Sequence, residues 1–268
     1  MAENNSVSLS IQPLQYKDIT VCAQITAKAF STDRHTIVKQ LGSKPFDMYE
    51  VSRDGFLATL HRDTYVYVKA VDEESGEILG HAGWGFRGVD VSKIPRQGPS
   101  DKAPMPEQHA EQEKDKKRNE EKNNDESEPV KENGIDRLHA LEGADMQHMM
   151  SELMPPGTSC MFVIGLIVAP SHQSRGVGSA LIKYGADMAD RLGIFTWVHS
   201  SDQAWKAYAK FGYQVVKELD LDLDEYAPQS PGIKWDKALE GTEEGVTEDK
   251  WGRYVIRYMK RLPLIASG

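Results

Sequence analysis

Between Val168 and Leu181 the sequence reads VAPSHQSRGVGSAL, a run whose residue types suit the holding of an anion. It leaves an apolar segment, turns through Pro170 and enters a helical pattern through Gly176 and Gly178. The first turn of a helix carries amide N–H groups with no intrahelical acceptor, at the positive end of the helix dipole. A phosphate held there gains several hydrogen bonds without many cationic side chains. Gly176 and Gly178 let the backbone approach a bulky diphosphate, and Arg175 adds a charge-assisted contact. Two nucleotide-binding readings fail. A P-loop needs GxxxxGK[ST], which is absent. A Rossmann fingerprint needs a third glycine where Leu181 stands, and an acidic residue near the end of the next strand, where His199 and Ser200 stand.

The elements that must position this turn are readable from periodicity. Cys160 to Val168 is a nearly continuous apolar run, which predicts a strand at the centre of a sheet, buried on both faces. Gly176 to Leu192 predicts a helix with Val177, Leu181, Tyr184 and Met188 in one stripe, ended by Gly193. Ile194 to Val198 predicts the next strand. Ser200 and Gln203 have capping-box spacing, so a helix from about Ser201 to Phe211 is expected, closed by Gly212. Upstream, Val7 to Gln12 reads as a strand and Tyr16 to Phe30 as an amphipathic helix. Two short helices are expected between Asp33 and Leu60. Tyr65 to Val71 and Ile78 to Phe86 read as an antiparallel hairpin turning at Ser75 and Gly76. The glycines at 80, 83, 85 and 88 in its second strand are open to three readings: a bulge, close approach of a ligand, or plain twist. Tyr213 to Leu221 and Trp251 to Arg261 are the last strand candidates.

The 26 residues from Glu107 to Glu132 hold ten acidic and six basic side chains and no aromatic, too little apolar area to offset ordering entropy. Residues 89–156 therefore read as an insertion into a single domain spanning 1–268, with about 95–134 flexible or disordered. Within it, residues 135–154 should be helical, with Leu138, Leu141, Met146, Met149, Met150 and Leu153 on its apolar side. Its methionines suit core or dimer packing, and could also line a pocket.

The formal charge of -9 argues against broad binding to nucleic acid or to anionic membrane, and leans toward cationic substrates. No stretch has the roughly 20 apolar residues needed to span a bilayer, and the start MAENNSVSLS lacks the features of a secretory signal. A cytoplasmic or nuclear protein is expected. Cys22 and Cys160, far apart and without metal-ligand spacing, read as ordinary apolar residues, so no metal site is expected.

The stretch Gln173-Ser174-Arg175-Gly176-Val177-Gly178 matches the Q/R-x-x-G-x-G/A signature of the GCN5-related N-acetyltransferase (GNAT) superfamily, and Ala207-Tyr208-Ala209-Lys210-Phe211-Gly212-Tyr213 resembles that family's LYxxxGF element. The chain looks most like the small acetyltransferases of fungi. The resemblance covers about residues 7–90 and 158–262. It implies a mixed, mostly antiparallel α/β sheet flanked by helices. It also implies direct transfer of an acetyl group from acetyl coenzyme A to a primary amine, on a small molecule, a peptide N-terminus or a lysine, within a ternary complex. Ile167 and Val168 then pair with the pantetheine arm, the amides from Gln173 through Ser174, Arg175, Gly176, Val177 and Gly178 to Ser179 wrap the pyrophosphate, Ser201 lies beside the cosubstrate, and Tyr208 is the general acid. Thioester aminolysis does need a proton for the departing sulfur, which a phenol can supply, and an N–H at a bulge near Val168 could polarise the carbonyl. Some members carry a glutamate early in the central strand, where this chain has Met161-Phe162-Val163. His81, His148 and His199 are the candidate bases in its place. His172 reads as a structural neighbour of the phosphate loop. The missing carboxylate keeps open a second reading, a non-catalytic acyl coenzyme A binding or scaffolding protein, and a homodimer is possible under either.

Overall fold

The computed structural model describes residues 8–44, 46–103, 133–231 and 250–264. Seven strands, β1 (Leu9–Pro13), β2 (Tyr65–Asp72), β3 (Ile78–Arg87), β4 (Cys160–Val168), β5 (Phe195–Ser200), β6 (Gln214–Asp222) and β7 (Arg253–Arg261), form one sheet in the order β1-β2-β3-β4-β5-β7-β6. Every pairing is antiparallel except β4 with β5. The helices are α1 (Ile19–Phe30), α2 (Arg34–Gln40), α3 (Met48–Thr59), α4 (Gly134–Leu153), α5 (Val177–Leu192) and α6 (Trp205–Ala209). The hairpin, the central strand and the long helix fall where the sequence places them.

The two faces of the sheet are covered differently. On one, Val177, Leu181, Met188 and Ala189 of α5 pack against Val66, Val68, Ala82, Trp84 and Met161. The helix lies so close that a Cβ on Gly185 would meet Trp84 Nε1 at 2.5 Å. On the other, α1 and α3 bring Ile19, Cys22, Phe56 and Leu60 onto Leu14 and Tyr67. There, α4 sets Met149 against Cys160, Trp197 and Tyr258, so its buried methionine is a packing residue. Asn133 caps α4 by accepting from the amide of Asp136. The stretch expected to be flexible up to 134 is partly pinned: Asp101 accepts from the amides of Tyr16 and Lys17, both at 2.9 Å. Residues 104–132 lie outside the described residues.

Three expectations change. The hairpin glycines leave room for aromatic rings: a Cβ on Gly83 would strike the ring of Tyr67, and one on Gly85 that of Phe162, each at 2.2 Å. The helix expected from Ser201 shrinks to the five residues of α6. Its cap, Ala204, has no polar side chain to bond the first amides, and the Ser200 hydroxyl of the expected capping box donates to the Ser201 carbonyl. And β4 is not buried on both faces. Only Cys160 and Met161 are fully covered, and from Phe162 on the strand is half-buried, with Ile164 43% exposed.

Candidate active site

The reason β4 is open lies in its pairing. It joins β5 through only three positions, Cys160 with Phe195, Met161 with Thr196 and Phe162 with Trp197, after which the two parallel strands part. On its other side β4 stays paired with β3 to Val168, but the register slips: Gly83 faces Gly165 and Trp84 faces Val163, so Ile164 is an extra, bulged residue. The bulge expected near Val168 therefore sits four residues earlier, beside the point where the strands separate. A bulge aims its backbone groups out of the ladder, and a splayed strand leaves its edge free to pair with something other than β5.

A cavity of about 490 Å³ fills this opening. Val163 to Ile167, Val198, Ser200, Ser201, Ala204 and Tyr208 form one wall. The other is built by α1, α2 and α3 with Thr26, Phe30, Asp33, His35, Lys39, Phe46, Met48 and Phe56, together with Tyr67, His81, His199 and Tyr254. Of the residues singled out from the sequence, Ile167, Ser201, Tyr208, His81 and His199 line it, and His148 does not. Val168 ends the strand just outside it.

Gln173 to Ser179 form the turn beyond that strand end. Ser174 and Gly176 have positive φ, 60° and 87°, and α5 starts without a side-chain cap. None of the amides from Ser174 to Ser179 donates to another group among the described residues, whereas the next, Ala180, donates to the Gly176 carbonyl at 2.9 Å. Six consecutive N–H groups are thus available to an anion. Arg175 is exposed and makes no ion pair among the described residues. Val177 contributes only its amide, since its side chain is in the core. The Gln173 amide nitrogen donates to the Val168 carbonyl at 3.3 Å, pinning the turn to the strand. His172 meets only the hydroxyl of Ser171, at 3.0 Å.

Tyr208 is 4% exposed and packs edge-on against Tyr213, ring centroids 5.3 Å apart, in a cluster with Ile182 and Val198. Burial pushes its phenol well above the ordinary tyrosine range, so it holds its proton throughout the neutral range.

The opposite wall is a network that the sequence did not disclose. Asp33 caps α2 by accepting from the amide and hydroxyl of Thr36, at 2.9 and 2.8 Å, and also accepts from the Tyr254 hydroxyl at 2.9 Å. His35 stacks on Tyr254 and pairs with Glu142 of α4, and Lys39 binds the same carboxylate at 2.9 Å. Burial works against the Glu142 charge, but these two partners outweigh it and bring the carboxyl down to about 2. Arg34, 1% exposed, donates to the carbonyls of Trp251 and Arg253 and fixes α2 to β7. No signal short of the tertiary pairing brings residues 33, 142 and 254 together.

The profile of the Acetyltransferase (GNAT) family matches residues 138–213, from within α4 to the end of the α6 turn. Over those 76 of the 268 residues the chain is similar to the GNAT acetyltransferases. The solved structure of arylalkylamine N-acetyltransferase 2 from Aedes aegypti superposes with a TM-score of 0.54 at 12% identity, covering 95% of this chain and 99% of that one. An apo mutant of an agmatine N-acetyltransferase superposes with a TM-score of 0.50 at 13% identity, over 95% and 99%. At these identities the likeness establishes the GNAT fold. A search of curated proteins found no match. The family match begins inside α4, a helix that the sequence places in an insertion. Among the described residues no helix is long and apolar enough to cross a membrane, and no cluster of three or more His, Cys, Asp or Glu could hold a metal.

Proposed function

We propose that the protein is an acetyl coenzyme A-dependent N-acetyltransferase that acylates a primary amine directly, in a ternary complex. The observation that carries this is the parting of β4 from β5 beside six unclaimed amides, with a protonated phenol at the far end of the same opening. The pyrophosphate lies on the amides of Ser174 to Ser179 with Arg175 beside it. The pantetheine arm pairs with the free edge of β4 at Ile167 and Val168 and passes Ser201. The thioester carbonyl reaches the bulge at Ile164, where a backbone N–H polarises it. The amine attacks the carbonyl carbon, the C–S bond breaks, and the Tyr208 hydroxyl protonates the sulfur.

The acceptor enters between α2, α3 and β7. Phe30, Phe46, Met48, Phe56 and Tyr67 offer it apolar and aromatic walls, with the Asp33 carboxylate and Lys39, itself bound to Glu142, at their edge. An amine with an aryl or alkyl body fits that lining better than a polyamine, and the superposed arylalkylamine enzyme supports this choice. The charged stretch within 89–156 is, on this reading, an insertion outside the catalytic core.

Thiol release from acetyl coenzyme A, measured against a panel of arylalkylamines, polyamines and peptides, tests the proposal. Amine-dependent release led by the arylalkylamines is the expected result. The start of β4 carries no carboxylate, which favours a non-catalytic acyl coenzyme A binder as the second reading. Tight binding with no release across the panel would select it.

A further inference from the structure

The three candidate bases part company once their surroundings are compared. His148 is exposed on α4 and does not line the cavity. His81 lines it, but its Nε2 lies between the Thr26 hydroxyl, at 3.0 Å, and the Cys22 carbonyl, at 3.2 Å. Burial holds its ring down to about 4, and no carboxylate acts on it. An imidazolium there would be dry and without a counter-charge.

His199 differs on each point. It extends β5 past the last residue paired with β4. Phe162 pairs with Trp197, so two residues on, His199 stands across the opening from the bulged Ile164. Its neighbours Trp197 and Tyr258 belong to the face covered by α4, whereas Val198 and Tyr208 pack with α5 on the other face. The cavity threads between the strands and touches both His199 and Tyr208. The ring makes no hydrogen bond among the described residues and is open to the cavity.

Behind it lie polar groups of α4 and β7. The Tyr258 ring is 5.0 Å from that of His199, and its buried hydroxyl faces the carboxylate of Asp145 on α4, whose other oxygen pairs with Lys217. The charged groups facing His199 are Glu142 and Asp145 from α4 and His35 and Lys39 from α2; Glu142 is paired with those two cations, and Asp145 with Lys217 of β6. Although the residue is exposed toward the cavity, the protein packed around it lowers its pKa to about 4; Glu142 and Asp145 oppose that shift, and His35 and Lys39 add to it. The imidazole is therefore neutral at pH 7, with two anions placed to favour the cation it forms.

We infer that His199 is the general base of the transfer, taking the amine proton on the side of the carbonyl opposite Tyr208, with Asp145 and Glu142 of α4 stabilising the imidazolium. The inference rests on the N-acetyltransferase reading. The substrate ammonium loses one proton to His199 and on to solvent. The neutral amine then forms the C–N bond, and the second proton leaves the nitrogen by the same route. As the C–S bond breaks, sulfur takes the Tyr208 proton and the phenolate is reprotonated by solvent, so one proton is released per turnover. Asp145 and Glu142 act through His199 and are positioning residues.

The test uses the full chain, acetyl coenzyme A and the best amine of the panel. His199→Ala should lower kcat about 100-fold, leave coenzyme A affinity by calorimetry unchanged, and regain part of the rate with added imidazole. Asp145→Asn should lower kcat several-fold and move the acid limb of its pH profile to lower pH, because the imidazolium loses an anion. His199→Asn replaces the alanine variant if that one melts below the assay temperature. A kcat within threefold of wild type, or a loss that imidazole does not relieve, overturns the assignment while leaving the acetyltransferase reading intact. A wild-type chain without amine-dependent thiol release defeats both.

Discussion

The two walls of the cavity are built from different parts of the chain. On the side proposed for the cosubstrate, the groups on offer are backbone: six amides of one turn, the free edge of β4 and the bulge at Ile164. They need no particular side chains beyond glycine at 176, where φ is 87°, and one phenol. On the acceptor side the contacts are side chains drawn from α2, α4 and β7, up to 221 positions apart, as in the Tyr254 to Asp33 bond. Backbone recognition fits a cosubstrate that is the same for every turnover of a large family. Side-chain recognition can be rewritten for each acceptor without disturbing the fold.

The sharpest way to break this contrast is to obstruct the backbone wall. A Cβ on Gly178 meets only Val168 Cγ2, at an ordinary 3.5 Å, so the protein accepts a side chain there. Gly178→Trp should keep its melting temperature and lose coenzyme A affinity by at least about 100-fold, roughly 2.7 kcal/mol, in calorimetry. Undiminished affinity would remove the turn from the site. Tyr208→Phe should do the reverse, lowering kcat about 100-fold with affinity unchanged. Its hydroxyl has no protein hydrogen bond among the described residues, so stability should move by less than about 0.5 kcal/mol. Equal turnover at saturating substrate would take Tyr208 out of the chemistry.

That contrast also explains what could be read in advance. The turn into α5 was legible because its requirements are local: Pro170, Gly176, Gly178 and the start of an amphipathic helix all fall within a dozen residues. The β2–β3 hairpin and α5 were legible for the same reason. The splay was not, because a run such as Cys160 to Val168 has one apolar pattern whether it is covered by protein or lines a cleft, and periodicity cannot tell these apart. The aromatic rings over Gly83 and Gly85 come from residues 67 and 162, which only the sheet register brings to them. Glu142 looked like one more charge on a helix until α4 docked it against His35 and Lys39.

Glu142→Gln probes the side-chain wall. The carboxyl titrates near 2 in the folded chain against an ordinary 4.5, so its ionised form is favoured by folding. The sign follows: the stabilisation is complete above about pH 5 and disappears as pH falls toward 2. A shift of this size corresponds to on the order of 3 kcal/mol. The wild-type advantage in denaturant stability over Glu142→Gln should therefore be greatest near pH 7 and shrink steadily below pH 5. A gap independent of pH would show that the carboxylate charge is not what holds α4 to α2. Coenzyme A affinity should stay unchanged while the acceptor KM rises, since Lys39 and His35 lose their anchor.

Arg175→Ala should have the smallest effect and still sharpen the comparison. The side chain is exposed and no partner fixes it, so its contact with a diphosphate would be screened by salt and made at some cost in side-chain freedom. The amides beside it are fixed by the fold and carry no net charge. Removing the arginine should weaken coenzyme A binding about three- to tenfold at low ionic strength and by less than about twofold near 0.5 M salt, where the Debye length is only a few Å. Affinity that collapses at both ionic strengths would mean that Arg175 and not the backbone carries the pyrophosphate. The division between a backbone wall and a side-chain wall would then fail on its stronger side.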